Sequence, residues 1–203
     1  MHFSFISCLS IICFVSMIFC LNAFSAEEIK VENIEATNGR PYMVGPDGID
    51  IGTKYYSDRD YVVNTLPEEL IGAMFIMTAN DDKNCAGEDF LKFTVDRNVK
   101  IWLARDSRGD EGKGGRVPEW LSEDKGWIRH EDMKIDCTDG NMGFFILYSK
   151  DFEKGEIVLG GNTDPPSAGQ GSQYLVLLTP GEKLSVESKC KVISTWAELK
   201  SIP

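Results

Sequence analysis

The feature that most constrains the fold is the alternation of apolar and polar residues in short runs. In Phe90–Val95, the side chains of Leu91, Phe93 and Val95 share one face, and the residues between them are polar. The next run, Val99–Ala104, repeats this period of two. Such alternation is typical of β-strands with one face in a core and the other in solvent. No segment sustains the helical period over about a dozen residues, which a long amphipathic helix would require.

Similar apolar runs recur along the chain between clusters of Gly, Asp, Asn and Pro, which favour turns. The continuous apolar stretches near Phe145 and Leu177 indicate central strands covered on both faces. Many short strands with turns between them predict an all-β fold, a two-sheet antiparallel β-sandwich of the jelly-roll type. The predicted strands are Tyr61–Asn64, Ala73–Thr78, Phe90–Val95, Val99–Ala104, Met133–Cys137, Gly143–Ser149, Glu156–Leu159, Tyr174–Leu178 and Leu184–Ile193.

Three more local patterns refine this prediction. Asp96–Asn98 lies between two alternating runs and predicts a tight hairpin. Thr195–Lys200 predicts a short helical tail at the C-terminus. Within the sandwich, the inward positions of the strands predict the core residues Leu91, Phe93, Val95, Val99, Ile101, Leu103, Ile146, Val158 and Val176.

The N-terminal residues predict export. Residues 1–25 contain no Lys, Arg, Asp or Glu, and the apolar run ends at the small-x-small pattern Ala23-Phe24-Ser25, which indicates a cleaved signal peptide. The alternative is a retained membrane anchor, since the run approaches spanning length. We therefore expect a secreted protein, periplasmic or extracellular, with no membrane contact after cleavage. Residues 26–53 are predicted as a lead-in with one strand near Ile49–Gly52, 54–180 as the sandwich, and 181–203 as a C-terminal strand and tail.

The charge balance excludes two classes of partner. Lys and Arg total 21 against 32 Asp and Glu, so the formal net charge is −11. Nucleic-acid binding needs a basic face for phosphate contacts. Attachment to anionic lipid needs basic patches.

Cysteine usage predicts one disulfide. Removal of the signal peptide leaves Cys85, Cys137 and Cys190, which allow one bridge and one remaining thiol. Cys85 and Cys137 lie at the ends of predicted elements, so we expect the bridge Cys85–Cys137, with Cys85–Cys190 and Cys137–Cys190 as the alternatives. Cys190 would then be free or would join two chains.

The chain is poorly supplied for catalysis, and we predict that it is not an enzyme. Apart from the signal peptide it contains one histidine, His130, between Arg129 and Glu131, and this charged setting favours a solvated surface residue. The sequence has no G-x-S-x-G, H-E-x-x-H or P-loop motif. A pair of carboxylates that hydrolyses glycosidic bonds remains the third functional alternative.

An oxygen-rich segment suggests calcium as a possible cofactor. Asn80, Asp81 and Asp82 follow directly after the predicted strand Ala73–Thr78, and Ca²⁺ is bound by carboxylate, amide and carbonyl oxygens. The alternative is local, since Asp and Asn are also common turn residues.

Tryptophans and arginines are the candidate ligand-binding residues. Trp120 and Trp127 lie in a loop-like stretch and could stack on sugar rings, or could instead cap the open end of the sandwich. Trp102 points to the face opposite that of Ile101 and Leu103. It is therefore expected in the core of a second layer or as a platform. A further set, Arg59, Arg105 and Arg108, could fix strand ends by bidentate pairs with neighbouring aspartates, or could bind the ligand.

Seven sequence pieces in the same order resemble a known type of module. They are Tyr56–Tyr61, Leu70–Ala73, Thr78–Lys83, Ile101–Arg108, Pro118–Leu121, Leu159–Asn162 and Tyr174–Leu177. Together they are similar to the small β-sandwich modules attached to secreted bacterial polysaccharide-active enzymes and kelch-type sugar oxidases. The resemblance implies a jelly-roll-like accessory domain that binds carbohydrate or supports assembly.

Two functional hypotheses therefore stand first. One is a secreted, non-catalytic β-sandwich that binds a polysaccharide or other glycan. The other is a structural subunit of an envelope or extracellular assembly, with self-association or an envelope protein as its partner.

Overall fold

The computed structural model describes residues 28–109, 116–167 and 171–181. The predicted signal peptide, the predicted strand Leu184–Ile193, the helical tail and Cys190 lie outside the described residues.

Ten strands make up the described part of the fold, and they pair in two antiparallel sheets, as the sequence predicts. The smaller sheet has the order β1-β5-β9, and the seven-stranded sheet has the order β2-β4-β10-β6-β8-β7-β3. The all-β sandwich is therefore confirmed. The strands are β1 (Val31–Ala36), β2 (Met43–Val44), β3 (Val63–Thr65), β4 (Met74–Met77), β5 (Leu91–Val95), β6 (Val99–Asp106), β7 (Ile128–Cys137), β8 (Phe145–Phe152), β9 (Gly155–Leu159) and β10 (Leu175–Pro180).

The first core lies between the two sheets. Alternate residues of β5 and β6, such as Phe93 and Ile101, meet there with almost no exposed surface. The predicted hairpin at Asp96–Asn98 is wrong, because β5 pairs with β1 and β9 whereas β6 pairs with β8 and β10. The turn instead crosses from one sheet to the other, so both apolar faces are buried in the same core. Its backbone groups bond to both ends of the described chain, with Asp96 N–H donating to the Lys30 carbonyl at 3.2 Å and Gly181 N–H to that of Asn98 at 3.0 Å.

The second core lies on the opposite face of the seven-stranded sheet, which curls around it. The segment between β2 and β4 fills this space with Ile49, Tyr55, Tyr56 and Leu70. This arrangement explains the continuous apolar run in β8, because successive side chains there enter different cores. The second-core residues of the sheet are Val63, Phe75, Ala104, Ile135, Phe145, Leu147, Leu175 and Leu177.

The described part of the predicted lead-in belongs to the sandwich. Its strands β1 and β2 join the smaller and the larger sheet, and Tyr42 is buried in the first core. No strand forms at Ile49–Gly52, where Gly52 has φ +84° in a turn. A second correction concerns β9, where Val158 is 40% exposed because Ile157 and Leu159 occupy the inward positions.

Helical structure is limited to short turns in the described residues, which contain no helix of seven residues or more. The 3₁₀ turns are Glu68–Leu70, Asn80–Asn84, Glu119–Leu121 and Glu123–Lys125. None of the described helical segments has the length and apolar composition needed to span a membrane.

Candidate functional site

The three predicted calcium ligands point to different protein partners. Asn80 Oδ1 accepts the backbone N–H of Gln173 at 3.1 Å. Asp81 accepts a hydrogen bond from the Arg59 guanidinium. The carboxylate of Asp82, which is buried, faces a third direction. These oxygens do not converge, and no group of three or more His, Cys, Asp and Glu in the described ranges could hold a metal ion. The residues therefore do not fit a calcium site.

Asp82 instead anchors the connection between β1 and β2. Its carboxylate accepts hydrogen bonds from Asn38 Nδ2 at 2.7 Å and from the Tyr42 hydroxyl at 2.8 Å, and Arg40 Nε lies 2.9 Å away. Burial is the main cause that raises the pKa of Tyr42 far above its usual value. The phenol is therefore a permanent donor, and the carboxylate of Asp82 is held in one position.

The three candidate arginines bind parts of the protein itself. Arg105 is fully buried and donates to the Asn162 side chain at 2.9 Å. Arg108 contacts both carboxylate oxygens of Asp106, with Nη2 only 2.6 Å from Oδ2. Arg59 lies apart from this pair and bonds to Asp81. The structure thus shows each of them fixing strand ends and loops.

The predicted Cys85–Cys137 disulfide is not formed, and both residues are free cysteines. Cys85 packs against the first core, where its sulfur accepts the N–H of Asn162 at 3.2 Å. Cys137 packs against the second core, so the seven-stranded sheet lies between the two thiols. The prediction was wrong because both residues do lie at element ends but on different faces of that sheet. Burial raises the pKa of Cys85 to about 11.

The two loop tryptophans have different surroundings. Trp127 is buried in the first core, with 3% of its surface exposed, so it cannot bind a ligand directly. Trp120 is partly buried and packs edge to face against both Trp127 and Tyr174, with ring centroids about 6 Å apart. Its indole N–H donates to the Gly161 carbonyl at 3.0 Å. A side chain at Gly160 would collide with the indole ring. Trp120 is therefore rigidly held.

Trp120 forms one wall of an open pocket of about 570 Å³, which we call the Trp120 pocket. This volume lies in the range of small-molecule sites. Its lining residues are Gly87, Glu88, Glu119, Trp120, Lys125, Lys150, Asp164 and Pro165.

Two charged groups of the Trp120 pocket are fixed by neighbours, and two more form an exposed ion pair. Asp164 accepts the backbone N–H groups of Gly87 at 2.7 Å and Gly161 at 3.0 Å. Lys125 Nζ lies 3.6 Å from the Glu119 carboxylate. Lys150 Nζ donates to the Lys125 carbonyl at 2.7 Å, and burial lowers its pKa. The pocket thus combines one immobile aromatic ring with positively and negatively charged side chains that can form hydrogen bonds.

The sequence suggests a platform at Trp102 but not its partners, and we call the complete surface the Trp102 platform (Trp102, His130, Ser149 and Thr179). Trp102 and His130 lie on different strands with ring centroids 4.9 Å apart, and His130 Nε2 is 2.8 Å from Ser149 Oγ. The Trp102 N–H donates to Thr179 Oγ1 at 3.0 Å. His130 is thus partly buried and packed on Trp102, which the charged residues beside it in the sequence do not indicate. The pairing becomes visible only from the strand order β10-β6-β8-β7.

The chain is similar to a β-glucuronidase of glycoside hydrolase family 2, with a TM-score of 0.60 and 20% identity over 74% of this chain and 15% of that one. It is also similar to a GH138 enzyme that targets pectin rhamnogalacturonan II, with a TM-score of 0.48 and 15% identity over 76% of this chain and 17% of the other. No protein-family model and no curated protein sequence matches the chain. The chain spans about a sixth of the length of these two enzymes. At 20% identity, the likeness to the β-glucuronidase is one of fold.

Proposed function

We propose that this chain is a non-catalytic module that binds carbohydrate in the Trp120 pocket. The observation that carries the proposal is the fixed indole of Trp120 in the wall of a pocket of about 570 Å³. Sugar rings have an apolar C–H face that packs on an aromatic ring, and hydroxyls that bond to charged and polar side chains. Because Trp120 is already held by Gly161, Trp127 and Tyr174, little side-chain entropy is lost on binding.

The arrangement of the pocket carboxylates supports binding over hydrolysis. A glycosidase needs two carboxyl groups on either side of the scissile bond, one as acid and one as base or nucleophile. Asp164 directs both oxygens to backbone N–H groups, and Glu119 lies beside Lys125. Asp164 therefore stabilises the loops around the pocket, whereas Glu119 forms a surface ion pair and Glu88, the third pocket carboxylate, is exposed.

Titration calorimetry with a panel of polysaccharides tests the proposal. Trp120→Ala should weaken binding at least about tenfold, since buried tryptophan contacts dominate binding energies. Trp120→Phe should retain part of the affinity because it keeps an aromatic face. Ile51→Ala is the matched control, because Ile51 is 65% exposed and lies outside the pocket. Undiminished binding by a folded Trp120→Ala protein would contradict the proposal.

A second candidate function, self-assembly, rests on strand β9. The other sheet edges are protected, because β2 has two residues, β3 has three, and β1 is interrupted by a bulge between Glu32 and Glu35. Among the described strands, β9 pairs only with β5, without register shift, and its Val158 is 40% exposed. A regular edge strand of this kind can add a strand from another copy of the chain.

A further inference from the structure

The second core does not bury the whole of the curled face of the seven-stranded sheet. Ala104, Leu147 and Leu177 are buried there. Two residues further along their strands, on the same face, Trp102 on β6 and Thr179 on β10 are only partly buried. An aromatic side chain thus lies at the centre of a broad sheet, at the point where the packed layer ends.

The Trp102 platform is held rigidly by its own hydrogen bonds. Thr179 accepts the indole N–H at 3.0 Å, and His130 packs against the ring while its Nε2 contacts Ser149. Ser149 is itself buried, with 2% of its surface exposed. The indole ring is therefore already oriented before a ligand arrives, which lowers the cost of binding.

The charged groups beside the Trp102 ring are one ion pair and one imidazole, and the nearby Glu69 carboxylate adds a negative charge. Lys100 Nζ lies 3.9 Å from the Asp151 carboxylate and 6.0 Å from the centre of the Trp102 ring. Burial and the nearby Lys100 lower the pKa of His130 from its usual value of 6.5, so its imidazole is neutral at neutral pH. Such a surface complements an uncharged ligand with many hydroxyl groups better than an ionic one.

Two hollows adjoin the platform, and Glu69 lines both of them. The first, of about 410 Å³, is also lined by Thr179, the acceptor of the Trp102 N–H. The second, of about 420 Å³, is also lined by Asp132 and Met133, which follow His130 on β7. The hollows therefore extend the platform on two sides, and an extended chain fits this shape better than a single compact molecule.

We propose that the Trp102 platform and its two hollows form a second carbohydrate site, which binds a neutral, linear oligosaccharide. One sugar ring packs on Trp102, and the Glu69 carboxylate accepts hydrogen bonds from hydroxyls of the neighbouring units. The ligand class rests on the proposed function, whereas the site itself is separate from the Trp120 pocket. Two sites on one chain increase the affinity for a polymer, because the second contact becomes intramolecular.

Calorimetry on the whole chain with neutral oligosaccharides of the glucan, xylan and mannan series tests this proposal. The wild-type protein should bind a ligand at two sites, Trp102→Ala and Trp120→Ala should each retain one, and the double variant none. Glu69→Ala changes an exposed side chain and preserves the fold, and it should weaken the Trp102 site at least about fivefold. Trp102→Phe keeps a ring on the platform and should keep part of the affinity.

The outcomes separate the two proposals. One site that is lost in Trp120→Ala and unaffected by Trp102→Ala or Glu69→Ala overturns the second site and leaves the proposed function intact. One site that is lost only in Trp102→Ala and Glu69→Ala supports the second site and contradicts carbohydrate binding in the Trp120 pocket. Absence of any saccharide binding overturns both.

Discussion

Asp82 is a single carboxylate that holds three residues of the connection between β1 and β2. It accepts from Asn38 and Tyr42 and lies beside Arg40, with 5% of its side chain exposed. Loss of one partner of a buried, hydrogen-bonded charge leaves the other groups without compensation.

We therefore expect Asp82→Ala to lower the free energy of unfolding by about 2–4 kcal/mol. The neighbouring Asp81→Ala is the matched control, because Asp81 is exposed and its surface contact with Arg59 contributes little to stability. Urea unfolding measures both variants. Equal midpoints for the two would show that Asp82 does not anchor the β1–β2 connection.

His130 makes stability depend on pH. Burial and Lys100 lower its pKa in the folded protein, although Glu69 opposes them. On acidification the unfolded chain takes up the proton first, so stability falls as pH drops below the unfolded value of about 6.5. Thermal unfolding between about pH 7.5 and pH 5.5 should show a decrease for the wild type that is smaller for His130→Gln. Parallel curves for the two proteins would refute this assignment.

At the scale of elements, the two-residue period predicts which segments become strands. It does not predict which strands pair with each other. The β5 and β6 patterns are the same whether the strands form a hairpin or lie in different sheets, since each pattern fixes only a face. The strands β1 and β2 were missed because they are short or bulged, and they are stabilised by tertiary contacts such as that between Tyr42 and Asp82. Val158 was assigned to the core because an alternating run does not reveal which of its two faces turns inward.

The exposed edge of β9 carries a prediction about association. If β9 pairs with a second copy, Val158→Lys should give a monomer at concentrations where the wild type forms dimers, because a charged edge residue disfavours pairing. Its stability should change by less than about 0.5 kcal/mol, as is usual for exposed positions. Sedimentation equilibrium of both proteins measures this, with Ile128→Lys, at an exposed position on β7, as the control. A wild-type protein that is monomeric throughout would remove self-assembly as a function.

For the whole molecule, sequence alone locates the aromatic side chains and leaves open how they combine. Trp120 was identified as a candidate, but its neighbour Lys150 lies on β8 and joins the pocket only through the tertiary fold. The Trp102 platform likewise needs the register of β6, β8 and β7. The arginines and Asn80–Asp82 have the composition of a ligand site and serve as structural contacts, a distinction that depends on which donors face them.

The N-terminal strands β1 and β2 are also part of the shortest chain that we expect to fold stably. A chain that begins at residue 54 lacks β1, β2 and the three partners of Asp82, and it exposes core surface in both sheets. We expect such a chain not to unfold cooperatively, whereas the chain from residue 28 should do so. Circular dichroism during heating distinguishes them. A sharp transition in the shorter chain would show that residues 28–53 are dispensable.

The last described strand, β10, lies in the middle of the larger sheet, between β4 and β6. While the chain is being synthesised, β4 and β6 have no strand to join them until residues 175–180 are available. The sheet therefore remains in two parts, β2-β4 and β6-β8-β7-β3, until β10 has been synthesised. Sheets that depend on such distant pairings fold late and slowly.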